Sequence, residues 1–417
     1  MINIGELNTN LKTFWPLHLF FIGIGIAFFG KGYAAIPLLM VLCWSIKKFI
    51  RQPALTKEIL LNDQTKWICL FFVIFIIMVF VSDLITGGRW THREGLIVHL
   101  VMGLCMLMGI FLSETFNEQK VLCLFSGWMS FWSLLVLFFV ELRFHGIYTY
   151  KHGIIGASNE LYSLLAIMGL FHFAFFVEEL GFKKYAPWLS LTFFVWSFAS
   201  IVRFSTSDLV LPLFIAGILF LLILSKRKHA MFLFFILMVG SSILISCSSE
   251  IMDSLKSADL ISEHFWSKLL NKRDEIWTVS LRMIAQHPFF GVGSGNYGGV
   301  YSSIISMSKD LPDNMLIFDQ SHSVWLQQAV AHGIVAWCAY LGLFLAIIRL
   351  IIHSYRILPK QLLSLVVFSI WLVFLVYGFV EIVLVFEELI PIVWGSLGLL
   401  MGAVVFSLKA GEEKNEH

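Results

Sequence analysis

Arginine and histidine collect in one stretch, Lys268 to Gly333, of a chain that is otherwise strongly apolar. It opens K-L-L-N-K-R-D-E-I-W-T-V-S-L-R-M-I-A-Q-H-P-F-F-G-V-G-S-G-N-Y, passes through polar and turn-forming residues, and closes on Q-S-H-S-V-W-L-Q-Q-A-V-A-H-G. Arg273 and Arg282 supply guanidinium groups, whose planar fork donates two parallel hydrogen bonds and so suits phosphate. His322 supplies an imidazole, whose ordinary pKa near 6.5 suits a general base at neutral pH. The combination fits an anionic ligand held beside a base. Each residue also has a plain reading: Arg273 beside Asp274 as a solvated ion pair worth under about 1 kcal/mol, His322 as an interfacial hydrogen bonder.

Charge close to a bilayer is costly and usually functional, so other ionisable residues on the same face join the candidates. They are Asp83, Arg89, His92 and Arg93; Arg143, Lys151, His152 and Glu160; Arg203 and Asp208; and Glu381, Glu387 and Glu388. Arg203 ends the apolar run F-V-W-S-F-A-S-I-V-R, either as a snorkelling side chain, as a partner for Asp208, or as an anion clamp at a cavity rim. Arg273 and Arg282 stand two and a half turns apart on one helix and so point to different sides. G-V-G-S-G-N-Y has no preceding strand and no following Gly-Lys-Ser/Thr, which excludes a dinucleotide fingerprint and a P-loop. It reads as a turn needing positive φ, whose amides can still face an anion. His332, just before Gly333, reads as structural.

The elements that must position these groups are membrane helices. Hydrophobic residues make up 59% of the chain and charged residues 13%, with mean hydropathy +0.85; a soluble domain carries about 25% charged residues. A bilayer core needs about 20 apolar residues per helix, and twelve runs qualify: 14–29, 33–48, 67–85, 95–112, 121–140, 158–177, 187–204, 208–224, 230–246, 323–348, 362–380 and 390–408. The expected fold is therefore an all-α integral membrane protein of about twelve spans with one large, partly helical loop. Three segments follow: 1–246 with nine spans, 247–322 as the loop, and 323–417 with three spans and a tail. Within the loop, Ile261–Leu270 and Glu275–Gln286 have helical spacing, and His287-Pro288 ends the second. The stretch from Gly291 to Tyr297 is expected to be a turn-rich loop.

Lys and Arg concentrate on the side of both termini, as in Lys47, Lys48, Arg51, Lys57 and Lys66, then Lys226, Arg227 and Lys228, then Arg349, Arg356 and Lys360. The positive-inside rule makes that side cytoplasmic and the long loop external. The first apolar run lacks a small-residue cleavage site and is expected to stay as a helix. Six cysteines lie almost wholly in apolar runs and suggest no disulfide framework. A net charge of +2 does not point to nucleic acid. No H-E-x-x-H, G-x-S-x-G or Asp-x-Asp occurs, which argues against a metal-dependent transferase acting on sugar nucleotides in the cytosol. No cofactor or metal is expected. Dissimilar halves argue mildly against a transporter built from inverted repeats.

The ordered pair R-D-E-I-W-T-V-S-L-R-M-I-A-Q-H-P-F-F-G-V-G-S-G-N-Y and H-S-V-W-L-Q-Q-A-V-A-H-G-I-V-A resembles the signature domain shared by O-antigen ligases and O-antigen polymerases. The remaining helices are similar only in hydropathy and count. The resemblance implies a metal-independent, inverting glycosyltransferase of the membrane (GT-C-like) class in a Gram-negative inner membrane, with its active site facing the periplasm. As a ligase it would move O-antigen polysaccharide from undecaprenyl pyrophosphate to a sugar hydroxyl of lipid A–core. His322 matches the family's catalytic histidine, and Arg273 and Arg203 its donor-phosphate arginines. Glu381, in Y-G-F-V-E, matches an acidic or polar residue after the penultimate helix; Arg282, Arg89 and Arg93 are supporting candidates. Val202 and Phe204 depart from the Ser or Thr and the small residue that usually flank the helix-ending arginine. A polymerase using the same donor, and a transporter of lipid-linked oligosaccharide, are the alternatives.

Overall fold

The computed structural model describes residues 4–53, 57–59, 62–116, 118–147, 158–179, 186–204, 215, 217–218, 273–308, 316–358, 361–379, 381 and 387–415. Among these residues the secondary structure is helical, with no strand. Seven helices come first: α1 Ile4–Phe29, α2 Lys31–Arg51, α3 Lys66–Thr86, α4 Leu96–Thr115, α5 Glu118–Phe144, α6 Ser158–Glu179 and α7 Ala186–Phe204. The described part of the long loop holds α8 Arg273–Gln286 and α9 Tyr297–Met307, and α10 Val324–Ile357, α11 Leu362–Tyr377 and α12 Ile390–Asn415 follow it. The expected spans at 208–224 and 230–246 and the loop helix Ile261–Leu270 lie outside the described residues.

Six of the described helices are long and apolar enough to cross a membrane: α2 to α6 and α10; shorter apolar segments occur within α1, α7, α11 and α12. Two environments account for these compositions. The α6 helix has almost no amphipathicity and is enclosed along nearly its whole apolar length, with Leu161 to Phe171 entirely buried. An all-round apolar helix of this kind belongs at the centre of a bundle. By contrast, α3 leaves Leu70, Val73, Ile77 and Leu84 exposed; such an apolar outer face suits hydrocarbon, since lipid offers no polar partner. Helices α4 and α12 pack backbone to backbone, because a Cβ on Gly398 would stand 2.0 Å from the carbonyl oxygen of Met106. Small residues let membrane helices approach this closely.

Two features differ from the expected pattern. Y-G-G-V-Y-S-S-I-I-S-M, read from the sequence only as part of the polar and turn-forming stretch, forms α9. Gly298, Gly299 and the serines have low helix propensity, but Tyr297, Tyr301 and Ile304 share one face and bury it against Ile276, Val279 and Met283 of α8. Enclosing side chains of this size is worth about 1.5–3 kcal/mol each, enough to override local preference. The expected single span at 323–348 is broken at Gly333, whose φ of 80° and ψ of 178° interrupt α10. Apolar spacing continues through the break, so periodicity alone does not reveal it.

The Gly-rich loop fills that break. Val292 N–H donates to the Val330 carbonyl (2.9 Å), Gly293 N–H to Ala331 (2.8 Å), and Ile334 N–H to Pro288 (2.7 Å). The backbone groups released by the interrupted helix are thus satisfied inside the protein, as a low-dielectric setting demands. Gly291, Gly293 and Gly295 all have positive φ, in line with the turn expected there.

Candidate active site

The first residue of α8 and the residue just ahead of α10's cap meet on one carboxylate. Arg273 Nη2 donates to Glu381 Oε2 at 3.2 Å, and His322 Nδ1 lies 3.2 Å from Glu381 Oε1. The Glu381 side chain is 2% exposed, Arg273 11% and His322 21%, so the carboxylate is inside and the imidazole is the most exposed of the three. A carboxylate oxygen only accepts, which places the ring proton on Nδ1 and leaves Nε2 as the acceptor. Phe318 meets the imidazole edge-on at 5.9 Å between ring centres.

Local structure holds His322 firmly. Its φ of 50° makes it the one non-glycine residue with positive φ among the described residues. That conformation costs about 1–3 kcal/mol and persists only where surroundings over-determine it. Here Trp277 Nε1 donates to the Ser321 carbonyl (3.1 Å) and Gln327 Oε1 accepts the Ser321 N–H (2.8 Å). The Ser321 hydroxyl donates to the Ser323 carbonyl (2.8 Å), and Val324 N–H donates to the carbonyl of Gly378 (2.8 Å). Ser323 caps α10 by accepting from Leu326 N–H. Trp277 stands one turn after Arg273, so a single face of α8 serves both the carboxylate and the histidine's backbone.

Arg282 leaves from another side of α8 and donates to the Ser308 hydroxyl (3.3 Å), as the nine-residue spacing implied. Arg203, at the end of α7, is exposed and forms its ion pair with Glu141 of α5 (3.7 Å). Thus Arg273, His322 and Glu381 are brought together, while Arg203 is held from α5. Arg89 and Arg93 are exposed in the α3–α4 connection. Between them, His92 Nδ1 stands 2.9 Å from Glu94 Oε2. Contact with the Glu94 carboxylate raises the His92 pKa above its ordinary value. Burial alone would raise the carboxyl pKa of Glu94, yet His92 and the Gly295 amide hold it below the ordinary range.

The amides of the Gly-rich loop do face anions, but internal ones. Ser294 N–H donates to Asp83 Oδ1 (2.9 Å), and Gly295 N–H to Glu94 Oε1 (3.2 Å). His332 is fully buried and bonds through Nε2 to the Glu94 carbonyl (3.0 Å), a structural placement. Among the described residues no three His, Cys, Asp or Glu side chains converge as a metal site.

Residues 191–341 match the family model described as O-antigen ligase. Over this segment the chain is of O-antigen ligase type. No curated protein matches the chain. The ligase-type segment begins within α7 and ends within α10, and so contains Arg203, Arg273, Arg282 and His322. Glu381, Arg89, Arg93 and Glu94 fall outside it. The match supports an enzyme of the ligase or polymerase type.

Sequence reading did not single out Glu94, Gln327 or Ser321. A carboxylate in T-H-R-E, immediately before the apolar run of α4, was the available signal, since an ionisable residue at a span's edge is a functional candidate. Nothing in Gln327's own spacing marks it, because its partners are 6 and 233 residues away.

Proposed function

We propose that the protein is an O-antigen ligase, transferring a glycan from undecaprenyl pyrophosphate to a hydroxyl of lipid A–core on the periplasmic side of a bacterial inner membrane. One observation carries the proposal: His322 Nδ1 is engaged by the buried Glu381, which Arg273 also contacts, so that Nε2 is the basic atom left for an acceptor hydroxyl. In this reading Nε2 of His322 takes the proton of the acceptor hydroxyl as its oxygen attacks the anomeric carbon. The bond from that carbon to the phosphate oxygen breaks, and the pyrophosphate leaves with the electron pair. Attack from the face opposite the leaving group inverts the centre. Glu381 stabilises the imidazolium that forms, the role of the carboxylate in a Ser-His-Asp triad. A guanidinium has five donors, so Arg273 can meet a phosphate oxygen while contacting Glu381. Arg203 would meet the donor's phosphates from α7, with Arg282, Arg89 and Arg93 supporting the negative charge at longer range.

The deciding experiment is a deletion strain. Ligase function predicts core lipopolysaccharide without O-chains, together with accumulating lipid-linked polymer. Failure to build lipid-linked polymer at all would instead assign a polymerase. In purified protein, release of undecaprenyl pyrophosphate from a synthetic donor, dependent on added acceptor, excludes transport of intact substrate.

A further inference from the structure

The histidine at this site is anchored from a part of the chain that lies outside the ligase-type segment. Glu94 and Gln327 are both almost wholly buried, and Ser321 is fully so. Gln327 Nε2 donates to Glu94 Oε1 (3.1 Å), and Gln327 Oε1 accepts Ser321 N–H (2.8 Å). A carboxylate can only accept and a peptide N–H can only donate, so the amide between them has one permitted orientation. Glu94 is itself fixed by Gly295 N–H at Oε1 and by His92 at Oε2.

We propose that Glu94 and Gln327 are positioning residues for His322, fixing through the Ser321 N–H the backbone that aims the imidazole. The proposal rests on the reading of His322 as the base. Its physical content is that a strained residue keeps its conformation only where several partners agree. Glu94 and Gln327 supply one of those partners at the Ser321 N–H, while Trp277 supplies another at the Ser321 carbonyl. A leucine at 327 would fill the space, yet strand the Ser321 N–H in a buried setting and leave Glu94 Oε1 with the Gly295 N–H in place of two donors.

The test is steady-state transfer by purified full-length protein, using a synthetic undecaprenyl-pyrophosphate-linked oligosaccharide and lipid A–core. The variants are His322→Ala, Glu94→Gln, Gln327→Leu, Gln327→Glu, and Glu94→Gln combined with Gln327→Glu, each with its thermal unfolding recorded. Misaiming a base lowers kcat while leaving ground-state binding alone. Gln327→Leu and Gln327→Glu should therefore lose about tenfold or more in kcat, with both KM values nearly unchanged. Gln327→Glu is isosteric and sets two carboxylates against each other; the combined exchange removes that like-charge repulsion, although Gly295 N–H still needs an acceptor on residue 94, and should recover part of the loss. Wild-type kcat in folded Gln327→Leu or Gln327→Glu overturns the positioning role, as does a Gln327→Glu defect that the exchange leaves in place. An active His322→Ala protein overturns the base assignment itself, an outcome separate from the other variants.

Discussion

His322 Nδ1 and Glu381 Oε1 stand 3.2 Å apart across 59 residues of sequence, on a carboxylate whose other oxygen contacts Arg273. That contact selects the tautomer and leaves Nε2 as the basic ring atom. Under the proposed mechanism Glu381 holds the base, and its removal is a direct probe. Glu381→Gln keeps the size of the side chain but loses the charge that stabilises an imidazolium. Transfer should fall by about 10²-fold or more in kcat, within the range that a positioned base contributes. Initial rates at saturating donor and acceptor check it; an unchanged rate would detach Glu381 from the chemistry.

Arg273→Lys is expected to be severe, although it conserves charge. Lysine is a point cation without the fork that can span a carboxylate and a phosphate together. A charged hydrogen bond is worth about 1.5–3 kcal/mol, so kcat/KM for the lipid-linked donor should drop by about ten- to a hundredfold. Donor titration of the purified variant measures this, and activity equal to wild type would reduce Arg273 to a structural pair.

Gly333 separates the two parts of α10, and a side chain there is excluded twice over. A Cβ would lie 2.2 Å from the Phe289 carbonyl oxygen, and the backbone sits at φ 80° and ψ 178°. Such a conformation costs a non-glycine residue about 1–3 kcal/mol before any clash. Gly333→Ala should lower the thermal midpoint in detergent and loosen the Gly-rich loop that bonds across the break. An unaltered midpoint would mean that the loop does not depend on this geometry.

The His92–Glu94 pair gives a pH dependence with a definite sign. The pKa of His92 is raised in the fold by contact with Glu94. Its contribution is therefore complete below the unfolded value near 6.5 and is lost as pH rises through the higher folded value. Glu94 is shifted down despite burial, so its contribution is present above its unfolded value and lost as pH falls through the lower folded one. Wild type should outlast His92→Gln in thermal unfolding most clearly around pH 5.5–6.5 and lose that advantage in alkaline buffer. An advantage that grew with pH would contradict the assignment.

Much of this arrangement was legible in the sequence wherever it rests on local pattern. The body of α8 follows from Ile276, Val279 and Met283 on one face, although it starts two residues before the expected Glu275, and the divergence of Arg273 from Arg282 follows from their spacing. The same pattern failed at α9, because Gly298 and Gly299 speak against a helix that Tyr297 and Tyr301 form only once α8 is there to bury them. It failed at Gly333 because apolar residues continue on both sides of the break. Glu381 was legible as a charge after a span, but its union with Arg273 and His322 was not, since contacts 108 and 59 residues apart leave no periodic trace. Glu94 was obscured in a short charged turn, where a solvated residue and a buried one look alike.

The most direct measurement is single-turnover transfer by His322→Ala, purified and shown by thermal unfolding to be folded, from a synthetic lipid-linked donor to lipid A–core. The account predicts a rate reduced by about 10²-fold or more, with binding of the donor retained through the arginines. Transfer at the wild-type rate by that folded variant would contradict it.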